Sequence, residues 1–138
     1  HCPSTSFLLK LRSEVSENIE LIVDSIPIEH SKIVEQIVKS EFGIVSYKVN
    51  PSNENCMPTK VFEYLSYGLP IISQTGTIWT EFASKFDTCM SLDFEDIKEE
   101  EIAPRLTEFH QSFIPKNIPE VMWATEEKKL ISLVDRLL

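Results

Sequence analysis

Two spacings of apolar residues alternate along the chain, and they predict alternating helices and strands. Leu8, Leu11 and Val15 recur at helical intervals, which predicts an amphipathic helix over residues 3–15. Short and nearly continuous apolar runs predict four buried strands, at residues 19–23, 42–47, 69–73 and 88–92. Helical spacing between these runs predicts three further helices, at residues 29–40, 58–67 and 78–83.

The C-terminal third has a different pattern. Residues 93–101 hold six acidic residues and one lysine, which predicts a solvated loop or the start of a helix. Leu106, Phe109 and Leu130 then mark two helices that pack back on the body. Strands that alternate with helices favour a parallel sheet covered on both faces. We therefore predict an α/β, Rossmann-like fold with about four strands, in a single domain over residues 1–138.

Composition and charge limit the classes of partner. A formal net charge of −9 argues against a nucleic-acid or anionic-membrane surface, because such surfaces need clustered Lys and Arg. No apolar run is long enough to span a membrane. Three scattered cysteines and three unrelated histidines suggest neither a disulfide framework nor a metal site. These features are typical of a cytoplasmic protein that binds small molecules or proteins.

Three loops are expected to meet at one edge of the predicted sheet. In open α/β sheets ligands bind beyond the carboxyl ends of the strands. Three polar, turn-forming segments follow predicted strands here, at residues 24–27, 50–57 and 74–77. The helix that begins near Pro58 would direct its N-terminal N–H groups and the positive end of its dipole toward this edge, which favours an anion such as a diphosphate.

The central segment, residues 55–73, carries a recognisable pattern. It reads Asn-Cys-Met-Pro-Thr-Lys-Val-Phe-Glu-Tyr-Leu, followed by a Gly-Leu-Pro stop and a buried strand. This order resembles the donor-binding domain of GT-B-fold retaining glycosyltransferases of group 1, or family 4. The resemblance covers most of the chain, and the central block is its most specific part.

The resemblance implies roles for particular residues. Glu63 would hydrogen-bond the ribose hydroxyls of a nucleoside-diphosphate sugar, since an ionised carboxylate can accept both. The loop and helix start would lie near the diphosphate and the sugar, with Lys60 available to the phosphates; the other residues there are Cys56, Met57 and Pro58. Ile26 and Pro27 would lie near the base. The donor would be a UDP- or GDP-sugar, with no metal or other cofactor, and the sequence does not identify a catalytic residue.

Two features depart from the family pattern. Many members carry a second glutamate eight residues before the ribose-binding one, where this chain has Asn55, which could still bond a sugar hydroxyl. The family's domain also begins with additional strands that carry a basic diphosphate clamp. We therefore expect an N-terminally truncated piece of a two-domain enzyme, inactive by itself, whose other domain would bind the acceptor glycan or glycolipid and could bring the enzyme to a membrane.

Other interpretations of the same residues remain open. Glu63 could be a surface residue paired with Lys60 one turn away. Asp24, at the end of a predicted strand, also suits a phosphoacceptor receiver domain, although the acidic pair and the lysine that such a domain needs are missing. A nucleotide-sugar epimerase of the same architecture, or an inert donor-binding module, would keep the fold and change the chemistry.

Overall fold

The computed structural model describes residues 4–23 and 26–137, and in these ranges the chain forms six α-helices and three β-strands. The elements are α1 (Thr5–Glu14), α2 (His30–Lys39), β1 (Gly43–Val45), α3 (Thr59–Ser66), β2 (Ile71–Gln74), α4 (Ile78–Ser84), β3 (Cys89–Leu92), α5 (Glu99–Ser112), a 3-10 turn (Pro119–Val121) and α6 (Trp123–Val134). The chain divides into two compact units, His1–Gln36 and Ile37–Leu138.

The second unit is built on a parallel sheet with the strand order β1-β2-β3. Gly43 pairs with Ile71, and Ile71 pairs with Cys89, so that β2 has a neighbour on each side. Helices α3 and α4 make the two crossovers that parallel pairing requires. This arrangement confirms the predicted α/β class.

Consecutive residues of β2 serve opposite faces of the sheet, as the twofold repeat of a strand dictates. Ile71 is fully buried against α3 and α4. The cluster on this face comprises Val45, Val61, Leu65, Ile71, Trp79, Ala83 and Ile118. Ile118 comes from the segment just before the 3-10 turn, and α6 lies against that turn. The C-terminal segment therefore packs on the body, as predicted.

Ile72 belongs to a second cluster on the other face, together with Met90 and Leu92 of β3. Leu106 and Phe109 of α5 pack against it. Helices thus cover both faces of the sheet, which confirms the layered arrangement predicted from the buried apolar runs.

The predicted strand at residues 19–23 is wrong. These residues belong to no strand, and the sheet of the described chain has three strands instead of about four. The side chains of Ile19 and Ile22 are 56% and 45% exposed, so the apolar run is not buried between two layers. A short apolar run becomes a strand only where neighbouring strands and burial support it, and sequence alone does not supply that context.

The first unit contains α1, whose start is capped by Ser4; the hydroxyl of Ser4 accepts a hydrogen bond from the Phe7 N–H at 3.4 Å. A cavity of about 430 Å³ in this unit is lined by Leu21, Ile22, Val23, Ile26, Pro27, Ile28, Glu29 and Lys32. Within the described ranges of the chain, no helix has the length and apolar character needed to cross a membrane.

Candidate functional site

A cavity of about 300 Å³ lies beyond the carboxyl end of β1. Its lining comes from the segment after β1, the start of α3 and the start of α4: Tyr47, Asn53, Cys56, Met57, Pro58, Thr59 and Trp79. It therefore occupies the edge at which ligands bind in parallel α/β sheets. Cys56, Met57 and Pro58, three of the predicted binding residues, line it together.

Two asparagines shape the loop that forms one wall of the cavity. The Asn53 side chain accepts a hydrogen bond from the Asn50 N–H at 2.8 Å and donates one to the Lys48 carbonyl at 3.0 Å. The Asn50 side chain accepts from the Ser52 N–H at 2.9 Å. Such local hydrogen bonds from side chains to the backbone take the place of the hydrogen bonds that a helix or sheet would supply. The loop is thereby held in one conformation, with Asn53 beside the cavity.

Helix α3 begins at the cavity without a side-chain cap. Its N-cap residue is Pro58, which offers no acceptor side chain, and the first bond of the turn runs from the Val61 N–H to the Pro58 carbonyl at 3.1 Å. Because the first N–H groups of a helix have no partner within the helix, they are available to an anion at this end.

Trp79 closes the cavity from the α4 side. It is 1% exposed and belongs to the core cluster under the sheet. Among the described residues its indole Nε1 has no hydrogen-bond partner, although the atom is buried. An unmatched buried donor is costly and uncommon in native structures, and this one belongs to a residue that lines a cavity.

The backbone beside Trp79 is held in place by a buried hydroxyl network. Thr77 caps α4 by accepting a hydrogen bond from the Thr80 N–H at 3.2 Å. The Thr80 hydroxyl lies 2.6 Å from the Gln74 carbonyl oxygen and 2.9 Å from the Ser73 hydroxyl. This network joins the end of β2 to the first turn of α4 and so fixes the position of Trp79.

Glu63 lies one turn along α3 from Thr59 and is not one of the cavity-lining residues. Its side chain is half-buried, and its carboxylate has neither an ion pair nor a hydrogen bond within the part of the chain that the structure describes. In particular the alternative pairing with Lys60, which is exposed in the first turn, is not formed. The carboxylate is thus unpaired within the described chain.

Three further predicted site residues are not among those that line this cavity. Asn55 is exposed in the turn before Cys56 and does not line it. Ile26 and Pro27 line the cavity of the first unit. Asp24, the residue that suggested a receiver domain, lies outside the described residues.

An ion pair connects two loops at the carboxyl edge. Lys48 Nζ lies 2.7 Å from Glu95 Oε1, joining the segment after β1 to the segment after β3. The hydrogen bond with Glu95, and then its charge, raise the pKa of Lys48. Gln74 joins the end of β2 to the segment after β3, since its side-chain oxygen accepts a hydrogen bond from the Phe94 N–H at 3.1 Å.

A further cavity of about 480 Å³ lies at the opposite edge, where β3 begins. It is lined by Ser84, Asp87, Cys89, Phe109, Ser112, Phe113, Ile114 and Lys116. Burial raises the pKa of the Cys89 thiol to about 11, which disfavours the reactive thiolate. In the described ranges, no cluster of His, Cys, Asp and Glu could hold a metal ion.

Sequence reasoning did not identify Tyr47, Asn53, Thr59 or Trp79 as site residues. The signal for Trp79 was present, since this large aromatic residue lies two positions after the loop at residues 74–77, one of the three placed at the ligand-binding edge. The helical spacing of Trp79 with Phe82 and Ala83 predicted only a helix, and the residue in fact contacts both the core and the cavity.

Comparisons of the chain with protein-family models, with curated proteins and with solved structures find no match.

Proposed function

We propose that the chain binds a nucleoside-diphosphate sugar as the donor-binding part of a retaining glycosyltransferase. The donor would be a UDP- or GDP-sugar, and the product a surface polysaccharide or glycolipid. Three features support the proposal: the central sequence block, the cavity at the carboxyl edge of a parallel sheet, and a helix that starts there without a cap.

The carboxylate of Glu63 is the observation that carries the proposal. Within the described chain its oxygen atoms contact no cation and no hydrogen-bond donor, and they are not buried, so they are accessible to a ligand. A ribose offers two adjacent hydroxyl donors, and hydrogen bonds to an ionised acceptor are about twice as strong as neutral ones. Glu63 also lies one turn along α3 from Thr59, which lines the cavity. A ligand with its ribose at Glu63 would therefore place an adjacent part of the molecule near Thr59.

The same helix offers a means of holding the diphosphate. The N–H groups of the first turn of α3 and the helix dipole favour negative charge, and Lys60 lies in that turn. In the transfer step these groups would stabilise the leaving diphosphate as its charge develops. The anomeric configuration would be retained without a nucleophile from the described residues. The acceptor and the remaining catalytic groups would come from a second domain.

Calorimetric titration of the chain with UDP, GDP and ADP tests the proposal. We expect one nucleoside diphosphate to bind, and Glu63→Ala to weaken its binding by about 1.5–3 kcal/mol, the range for a hydrogen bond to a charged group. Glu108→Ala is the matched control, because Glu108 is an exposed carboxylate on α5, which covers the other face of the sheet. The proposal is wrong if none of the three nucleotides binds, or if Glu63→Ala binds as tightly as the control.

The reaction itself separates a transferase from its alternatives. In a protein that also contains the acceptor-binding domain, release of nucleoside diphosphate that depends on added acceptor identifies a transferase. Turnover of the sugar without an acceptor would identify an epimerase. Phosphorylation of Asp24 by acetyl phosphate would identify a receiver domain.

A further inference from the structure

Tyr47 presents an aromatic side chain to the cavity beyond the carboxyl end of β1. It lies two residues after Val45, the last residue of β1, whose side chain is buried in the cluster that α3 and α4 cover. Tyr47 itself is 44% exposed, so a ligand can reach it from solvent. In this it differs from Trp79, which lines the same cavity and is 1% exposed.

The side chain of Tyr47 is unpaired, while the backbone beside it is held in place. Within the described ranges its ring stacks on no other aromatic ring and its hydroxyl has no hydrogen-bond partner. The carbonyl of the next residue, Lys48, accepts a hydrogen bond from the Asn53 amide at 3.0 Å, and the Lys48 ammonium lies 2.7 Å from Glu95. A tyrosine on a fixed segment is a favourable contact surface, because little conformational freedom is lost when a ligand packs on it.

The order of contacts along α3 decides which part of the donor reaches Tyr47. The proposed ribose contact is Glu63, and the proposed diphosphate contacts are the N–H groups of the first turn, where Thr59 lines the cavity. In a nucleotide sugar the diphosphate stands between the ribose and the sugar. A donor bound in this order therefore extends its sugar past the start of α3, into the cavity that Tyr47 lines.

A sugar matches the surface that Tyr47 offers. One face of a sugar ring carries C–H groups, which can pack against the electron-rich face of an aromatic ring. Met57 and Pro58 add apolar surface to the same cavity, and the hydroxyl of Thr59 adds a polar group. A diphosphate has no C–H face, so the ring of Tyr47 acts on the sugar, while the first turn of α3 acts on the phosphates.

We propose that Tyr47 is a specificity-determining residue, whose aromatic ring packs against the C–H face of the donor's sugar. This inference rests on the proposed donor-binding function and deepens it, because it assigns recognition of the sugar to a residue outside the central sequence block. Tyr47 then gives the protein a higher affinity for a nucleotide sugar than for the corresponding nucleoside diphosphate.

Calorimetric titration of Tyr47 variants with UDP-glucose, GDP-mannose, UDP and GDP tests the inference. Tyr47→Ala removes the ring, so the affinity for the nucleotide sugar should fall about 5- to 20-fold, while the affinity for the nucleoside diphosphate stays the same. Tyr47→Phe keeps the ring and should retain most of the affinity. Tyr67→Ala is the matched control, because Tyr67 is 48% exposed, follows the last residue of α3 and does not line the cavity. It should change neither affinity.

Nuclear magnetic resonance gives a second readout on the unsubstituted chain. The chain has three tyrosines, Tyr47, Tyr64 and Tyr67, so labelling the tyrosine rings with ¹³C gives three sets of ring signals, and Tyr47→Phe assigns one of them. With a nucleotide sugar bound, we expect nuclear Overhauser effects between the ring protons of Tyr47 and protons of the sugar. Effects to the protons of the nucleobase instead would show that the ring stacks on the base, and would overturn the inference.

The outcomes separate this inference from the proposed function. If a nucleoside diphosphate binds in a Glu63-dependent manner, but Tyr47→Ala binds the nucleotide sugar as tightly as Tyr67→Ala does, the inference fails and the donor-binding function stands. The inference also fails if Tyr47→Ala weakens the free nucleoside diphosphate equally, or if Tyr47→Phe loses as much affinity as Tyr47→Ala. If neither a nucleoside diphosphate nor a nucleotide sugar binds to the unsubstituted chain, both proposals fail.

Discussion

Gly43 of β1 lies directly beneath the ring of Tyr64 on α3. A Cβ atom added at Gly43 would stand 2.7 Å or less from three ring carbons of Tyr64. Real Cβ atoms do not approach other atoms so closely, and one of these carbons is at the base of the ring, where rotation moves it little. The close approach of α3 to β1, and hence the position of the helix start at the cavity, depends on the absence of a side chain at Gly43.

Gly43→Ala should therefore destabilise the protein. We expect a loss of about 1–3 kcal/mol in the free energy of unfolding, the usual cost of forcing an extra methyl group into a packed site. Urea denaturation measures it as a lower midpoint with an unchanged slope. Tyr64→Leu removes the ring, so the double variant should lose less than the sum of the two single losses. Additive losses would show that the contact does not set the packing.

Gly68→Ala should weaken the end of α3. Gly68 has a φ of +69°, and the helix ends in a Schellman motif with hydrogen bonds from the Leu69 N–H to the Tyr64 carbonyl at 2.9 Å and from the Gly68 N–H to the Leu65 carbonyl at 3.1 Å. A Cβ here would meet its nearest neighbour at 3.9 Å, so the cost comes from the backbone and should be about 1–2 kcal/mol. Gly68→Asn, which tolerates this conformation better, should lose less. Equal losses for Ala and Asn would contradict the assignment.

Thr80→Val should lower the free energy of unfolding, because it disrupts the buried hydroxyl network. Valine keeps the shape of threonine and removes the hydroxyl that lies 2.9 Å from Ser73 Oγ, which is fully buried. An unmatched buried hydroxyl costs about 1–3 kcal/mol, so thermal and urea denaturation should show a loss of that size. Adding Ser73→Ala to Thr80→Val should recover part of the loss, because both partners are then apolar. A double variant less stable than Thr80→Val would argue against this account.

The thiol of Cys89 should react slowly while the protein is folded. Its pKa is raised by burial from 9.0 to about 11, so at pH 8 the folded protein contains about a hundredfold less thiolate at this position than the unfolded chain. In a variant with Cys2→Ser and Cys56→Ser, Ellman's reagent should modify Cys89 far faster in urea than in buffer. Similar rates in the two conditions would show that the thiol is not protected.

The same shift in pKa gives a pH dependence of stability. The folded state holds the thiol proton more tightly than the unfolded state, so the contribution is fully present below pH 9 and is lost as the pH rises toward 11. A Cys89→Ala variant, which carries no titrating group there, should show a smaller fall in unfolding free energy over this interval. An identical fall in both proteins would mean that other groups cause it.

Local sequence signals predicted much of the fold, because long helices and fully buried strands have strong patterns. The apolar run at residues 69–73, bounded by Gly68 and a polar turn, is found as β2, which is buried on both faces. The equally apolar run at residues 19–23 forms no strand. The two segments differ in their neighbours in space, which depend on tertiary contacts that residue spacing does not record.

The candidate site was predictable only in part for a similar reason. The sequence pattern predicted that Cys56, Met57 and Pro58 lie in one site, because they are adjacent in the chain and precede a helix, and all three line the cavity. Trp79 lies in α4, the crossover after β2. Whether its indole N–H has a hydrogen-bond partner is decided by the side chains packed around it, and within the described chain it has none. Such a feature is visible only when the packing is known.

Ile71 and Ile72 are neighbours in sequence, yet they belong to hydrophobic clusters on opposite sides of the central strand. Deleting or inserting one residue in this strand would turn each of them toward the wrong layer and move Ser73 out of its hydroxyl network. Changes of chain length should therefore be tolerated in the surface loops and rejected in β2. A scan of single-residue deletions across the protein would trace the central strand as its least tolerant segment.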